Sequence, residues 1–531
     1  MHPLLYLCFF ILMACAPSSS FRAPSEAAKA NILTINIGAN PSFLNPILST
    51  DSTSHAVTRM IFNGLFKKNI DLDMVPDLVA SYTVSDDGMT YIFTLKPNVT
   101  WHDGHPFTAD DVVFTFNTLL DPKTNTVRRG HFLINNRPIQ FEAIGKLTVR
   151  ATLPQPYAPF LSVLDMGILP KHRLNNEPIN TTNFNRHPIG TGPFKFVEWQ
   201  PEQFIRLTRN DQYFKPNAKL NGIIMRIIPD VSTSLIALRN GEIDVSGVPP
   251  KDIERIKKIP YLAIFTYNRL NYSYIGLNLQ RPPFNDPHVR HAIQHAINKQ
   301  SIIDGVLLGY GEPAHIPSNP LSWAYPKKDD ITPIDYNPAK AKERLIAAGY
   351  TYNTEHGVYQ KKGEPLTFNL MVAQGSRESE RIAQIVQRFL ANVGVTMTIQ
   401  IMEWSSLLKT LHANTDPKPY DAVLLGWGFD INDPDDAYTS WHSSQYPNGG
   451  NLSGFLNPEA DALLAAGRRE QRQEKRRHIY TSFYQTIVQT APYVFLFYPQ
   501  STAAAHRYVK GLSKPGPAGI LHDIESVYID L

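Results

Sequence analysis

Cysteine is nearly absent. The 531 residues hold two, Cys8 and Cys15, and none follows position 15. A disulfide scaffold, a thiolate zinc cluster and a cysteine nucleophile are thereby excluded from the remainder of the chain. A dominant charge sign is missing too. Lys and Arg number 51 against 47 Asp and Glu, for a net charge of +4. That balance argues against a nucleic-acid surface, which needs clustered cations on one face. Long apolar runs are lacking beyond the N-terminus. The run Leu4 to Ala14 is shorter than the roughly 20 residues of a membrane span and fits the hydrophobic core of an export signal. There is no Gly-x-Ser-x-Gly elbow, phosphate loop or His-Glu-x-x-His motif, and no fixed-period repeat. What is present is a hydrophobic share of 43%, enough for large cores, and 42 prolines, which imply many fixed turns. The length predicts about two to four domains.

The apolar run ends in Leu12-Met13-Ala14-Cys15, which resembles the bacterial lipobox. Cleavage there needs a small residue before the scissile bond and a thiol after it, and Ala14 and Cys15 supply both. The leading Met1-His2-Pro3 departs from the pattern, having no Lys or Arg. The alternative is an ordinary signal with an incidental cysteine. The expectation is a lipoprotein signal over 1–14, lipidation at Cys15, and a Ser-, Ala- and Pro-rich tether over 15–30.

Alternation at period two predicts strands at Ile32 to Gly38 and Tyr91 to Leu95. Thr108 predicts a helix cap, with Asp110 and Asp111 in the first turn and Val112, Val113, Phe116, Leu119 and Leu120 as the buried stripe. Two strand-helix-strand units follow. The first runs through a strand at Ile223 to Ile228, a helix at Ser232 to Asn240 and a strand at Ile243 to Val245. The second has a strand at Thr367 to Val372, a helix capped by Ser376, and a strand at Val395 to Ile401. A further strand, Tyr420 to Leu425, runs into Gly426-Trp427-Gly428-Phe429-Asp430. Asn337-Pro338 and Asn457-Pro458 each read as an N-cap with proline at the first helical position. This order implies an α/β fold with parallel pairing, whose ligands bind beyond the carboxyl ends of the strands.

Several strings carry a family resemblance. They are Val84-Ser85-Asp86-Asp87-Gly88 with Trp101-His102-Asp103-Gly104, Gly190-Thr191-Gly192-Pro193-Phe194, Ala237-Leu238-Arg239-Asn240-Gly241-Glu242-Ile243-Asp244, and Asp286-Pro287-His288-Val289-Arg290-His291-Ala292. In this order they resemble the extracytoplasmic solute-binding proteins, family 5, of peptide ABC importers. The resemblance implies a two-lobed periplasmic-binding-protein-like fold (type II, cluster C), with an inserted subdomain in the first lobe and two hinge strands. Carried over, the large lobe is 31–271 plus 492–531, with the insertion near 60–185, and the second lobe is 272–491. The hinge crossings fall at Tyr272 to Leu279 and Tyr493 to Phe497. Partners are then a peptide, the permease and the ATPase, on a monomer that meets the membrane only through its lipid anchor at the extracytoplasmic face. No cofactor, metal, nucleic acid or catalysis is implied. The same fold also carries nickel complexes, haem, sugars and opines.

The chemistry of a peptide's ends selects site residues. A cationic amine in a closed cleft needs a carboxylate. Asp430 resembles the family aspartate in that role, with a turn or cap role beside Asn432, Asp433 and Pro434 as the structural alternative. Backbone groups of Gly426, Trp427, Gly428 and Phe429 can extend a strand onto a peptide main chain. Trp404 matches an aromatic lining a side-chain pocket, or else is a core aromatic. Arg377 follows the strand where dipeptide-selective members hold the ligand carboxylate, but it is displaced from the matching position and reads equally as a solvated helix residue. The acidic run Asp430 to Asp436 lacks the glycine and glutamate of a calcium loop. His288, His291 and His295 point away from the apolar stripe and read as a solvated face. Arg468, Arg469, Arg476 and Arg477, interleaved with Glu470 and Glu474, read as an exposed helix. A secreted hydrolase is the alternative from another class. It would need a nucleophile or paired carboxylates in the cleft.

Overall fold

The computed structural model describes residues 24–531, except Thr50, residues 429–432 and Asn448. Its frame is a twelve-stranded sheet. In chain order the strands are β1 (Ile32–Asn36), β2 (Phe194–Gln200), β3 (Phe204–Arg209), β4 (Gly222–Arg226), β5 (Val245–Gly247), β6 (Leu262–Asn268), β7 (Asn271–Leu277), β8 (Gly311–Pro313), β9 (Thr367–Ala373), β10 (Thr396–Met402), β11 (Ala422–Gly428) and β12 (Tyr493–His506). The spatial order is β2-β3-β4-β1-β5-β12-β7-β11-β9-β10, with β6 and β8 also on β12.

Parallel pairing occurs where the strand-helix-strand pattern predicts it. β4 and β5 flank β1, both parallel to it. β9 and β10 pair parallel from Thr367↔Thr396 to Ala373↔Met402. Between β9 and β10 lies helix Arg377–Ala391, started by the Ser376 hydroxyl accepting the Ser379 N–H at 3.2 Å. Its core face buries Ile382, Val386 and Leu390. Gly394, at φ +74°, turns the chain into β10. Asn337 and Asn457 cap their helices as expected. Thr108 precedes helix Ala109–Leu120, and the Asp111 carboxylate accepts its N–H at 2.9 Å.

β12 ties the two halves together. Its residues Tyr493 to Pro499 pair with β7 and β8. Its residues Gln500 to His506 pair with β5 and β6. The cores divide along the same line. One gathers Leu33, Met60, Phe93, Phe116, Tyr157 and Ala505. Another gathers Ile275, Val289, Leu370, Val386 and Val494. A separate antiparallel sheet of four strands, Val79–Val84, Thr90–Leu95, Thr148–Thr152 and Gln140–Gly145, packs with the first core. Among the described residues no helix is long and apolar enough to cross a membrane.

Three sequence expectations are corrected. The strand expected to stop at Leu425 continues to Gly428, because β7 keeps pairing with it through Asn271↔Gly428. His295 is buried rather than solvated: residues 335–337 cover it, and its Nδ1 lies 2.8 Å from the Asp335 carbonyl oxygen. Arg468 and Arg476 also lie inside, in the ion pairs described below.

Candidate functional site

β9, β10 and β11 run parallel to each other and end on one side of the sheet. Just past their carboxyl ends stand residues the sequence singles out. Arg377 is the first residue of its helix and is exposed. Trp404 opens helix Trp404–Leu411 and is 51% exposed, so the core-aromatic alternative does not hold. Gly426, Trp427 and Gly428 form the end of β11. Phe429 and Asp430 lie outside the described residues, as does Cys15.

The end of β11 is half-paired. On one side Gly426, Trp427 and Gly428 pair with Ser273, Tyr272 and Asn271 of β7. On the other side the ladder to β9 covers only Ala422 and Val423. Among the described residues no strand pairs with that second edge beyond Val423. Both glycines are exposed, and neither has a positive φ. A Cβ on Gly426 would meet only the Tyr272 carbonyl oxygen at 3.7 Å, and one on Gly428 the Leu270 carbonyl oxygen at 4.0 Å. Neither conformation nor internal crowding requires glycine there. What glycine does is leave a backbone edge bare, as where another main chain comes close. Trp427 between them is held by its Nε1–H, which donates to Asp436 at 2.7 Å.

The acidic run that follows is engaged internally. Asp433 takes both Arg476 Nη groups, at 2.7 and 2.8 Å, with both residues buried. Asp435 takes Arg468 Nε at 2.9 and 3.2 Å. It also accepts the Tyr157 hydroxyl at 3.1 Å. Tyr157 belongs to the first core, so this hydrogen bond joins the two halves. Burial alone would lower both arginine pKa values, but the carboxylates raise them instead. Among the described residues no cluster of His, Cys, Asp or Glu could hold a metal ion.

A cavity of about 660 Å³ opens at Gly428. Of the site residues selected from sequence that are described, only Gly428 lines it. Its other walls come from helix Ser52–Ile61 (His55, Arg59), from Arg128, and from the link between β6 and β7 (Arg269, Leu270). Nothing in the sequence signals these residues, because their helix and link carry no motif. A hollow of about 680 Å³ elsewhere, over helix Ala109–Leu120, touches no strand of the large sheet. Arg59 keeps much of its surface open to the cavity, with protein crowded around the rest of it. Burial, then the charge of Arg269, lowers its pKa, while Glu525 and Tyr267 act the other way.

Residues 73–449 match the family model described as bacterial extracellular solute-binding proteins, family 5 Middle. The oligopeptide-binding protein AppA of Bacillus subtilis is 34% identical over 518 residues, covering 96% of this chain and 94% of that protein. Its structure in complex with a nonapeptide superposes with a TM-score of 0.82, covering 94% of this chain and 99% of that one. NikZ from Campylobacter jejuni in complex with Ni(L-His) superposes with a TM-score of 0.84 at 28% identity, covering 94% and 99%. Strand order, the shared sheet and the matched sequence agree: this chain belongs to the bacterial extracellular solute-binding proteins of family 5, two-lobed α/β proteins.

Proposed function

We propose that this protein captures peptides between its lobes and delivers them to the permease of an ABC importer. The observation that carries this reading is the bare, glycine-flanked edge of β11 beside the cavity. An extended peptide can add to that edge through its main chain, which reads backbone and tolerates varied side chains. The oligopeptide-binding relative and its nonapeptide complex support the same ligand class. Asp430, two residues past Gly428 in sequence, takes the ligand's amine in this reading. Trp404 and Arg377 stand at neighbouring strand ends, Trp404 for a side-chain pocket and Arg377 for a carboxylate. The two cores and the double pairing of β12 support a large lobe of 31–271 plus 492–531 and a second lobe of 272–491. The protein works outside the cytoplasm as a monomer, tethered by a lipid on Cys15.

Native mass spectrometry of the purified protein tests the ligand class. A ladder of peptide masses is expected; a single nickel complex or haem would overturn the peptide reading. Asp430→Asn is expected to weaken free-amine peptides and to spare N-acetylated ones. Equal loss for both removes Asp430 from that role.

A further inference from the structure

The cavity at Gly428 has an unbalanced wall. Three carboxylates line it: Asp77, Asp165 and Glu525. Asp77 is already held by Lys215, and Asp165 by Lys68 at 2.8 Å. Against the remaining Glu525 stand Arg59, Lys67, Arg128 and Arg269. Arg128 spends its contacts on His55 Nε2 at 2.5 Å and the Ser49 carbonyl oxygen at 3.3 Å, neither of them a carboxylate. Arg59 and Arg269 have no ion pair or side-chain hydrogen bond among the described residues, and Glu525 lies outside ion-pair reach of both.

Arg59 sits in the last turn of helix Ser52–Ile61. Arg269 sits in the short link between β6 and β7, where the chain passes from one half of the molecule to the other. Both residues line the same cavity, and the charge of Arg269 acts against that of Arg59. A lysine in such a place can shed its proton; an arginine cannot. Like charges lining one cavity with no carboxylate in ion-pair contact are unfavourable until an anion arrives, and the planar guanidinium fork matches a carboxylate.

We infer that Arg59 and Arg269 form a carboxylate subsite of the cleft, where a bound peptide places its C-terminal carboxylate or an acidic side chain. The inference rests on the peptide reading above and adds to it a carboxylate anchor separate from Arg377. A peptide that follows β11 past Gly428 enters the cavity where the two arginines stand. Because Arg269 lies at the crossing between halves, an anion that bridges it to Arg59 also favours the closed arrangement.

Calorimetric titration with synthetic pentapeptide pools tests this. One pool has free C-termini and contains Asp and Glu. A second is C-terminally amidated. A third keeps the free C-terminus with Asn and Gln in place of the acids. The native protein is expected to lose about ten- to a hundredfold in affinity on one of the two neutralised pools, and which one identifies the source of the carboxylate. Arg59→Gln and Arg269→Gln are expected to bind the acidic pool no better than the neutralised one, with Arg59→Lys retaining part of the preference. Circular dichroism checks that each variant folds. If the native protein binds all pools alike, or the variants keep its full preference, the subsite is overturned while the peptide reading stands. If the native protein binds no pool, the peptide reading falls and the subsite with it.

Discussion

The two sides of the cleft treat charge in opposite ways. On the side of β11, the charges after the strand end are spent within the protein: Asp433 on Arg476, Asp435 on Arg468 and Tyr157. What that side leaves exposed at the strand end is backbone, at Gly426 and Gly428. On the side of helix Ser52–Ile61, Arg59 and Arg269 line the cavity, and among the described residues neither has a carboxylate within ion-pair reach. One side uses ion pairs to fix a loop, and the other leaves cations open to what enters. A residue's charge therefore says little about its role until its partner is known.

The sharpest way to break this comparison is to remove one charge from each side. Asp433→Ala leaves Arg476 buried and unpaired, and is expected to cost about 3–5 kcal/mol of unfolding free energy. Arg59→Gln is expected to change it by less than about 0.5 kcal/mol or to raise it. Urea titration of both variants measures the difference, and similar losses would erase the distinction between the sides.

Lys299 sharpens the comparison from another direction. It is buried, its Nζ donating to the Ala314 carbonyl oxygen at 2.7 Å, and the nearest side-chain nitrogen is His315 Nδ1 at 3.3 Å. With no carboxylate beside it, burial pushes its pKa down to about 7. Below that pH it is protonated in both folded and unfolded states, and burial costs stability in full. From about 7 up to its ordinary 10.5, the unfolded chain holds a proton that the folded chain lacks, so stability rises with pH. Lys299→Met is expected to flatten that rise by about 1 kcal/mol per pH unit between roughly pH 7 and 9. Unfolding curves at several pH values report it, and an unchanged slope would mean that Lys299 finds a counter-charge.

The smallest effect concerns the contact that joins the sides. Tyr157→Phe removes one hydroxyl from Asp435, which keeps Arg468. A loss of about 0.5–1.5 kcal/mol is expected, read as release of bound peptide a few-fold faster in stopped flow. Unchanged release would make the contact a packing feature of the fold alone.

Much of the fold was legible because its signals are local. Ser376, Asn337 and Asn457 cap helices through hydrogen bonds that span three residues. The apolar run within Thr367 to Ala373 and the alternation through Thr396 to Met402 each report a strand. The ion pairs were not legible. Asp435 meets Arg468 across 33 residues and Tyr157 across 278, and no periodicity encodes such meetings. The same holds for His295, buried by Asp335 at 40 residues' distance, and for the extension of β11 through two glycines, which its antiparallel neighbour imposes.

The sequence by itself determined the element types, the parallel α/β order, the strand ends where Arg377 and Trp404 stand, and the family. The elements and their order follow from short-range hydrogen bonding and the period of the apolar residues, and the family from the resemblance that its ordered strings carry. Only the tertiary structure decided which charges are spent and which stay open. Arg468 and Arg476 look no different in sequence from Arg59 and Arg269. Folding brought a carboxylate against each of the first two, at 2.9 and 2.7 Å, and left the second pair on a cavity wall with no ion pair among the described residues. Side-chain charge is local, but the pairing that sets its energy is made by residues far apart in the chain.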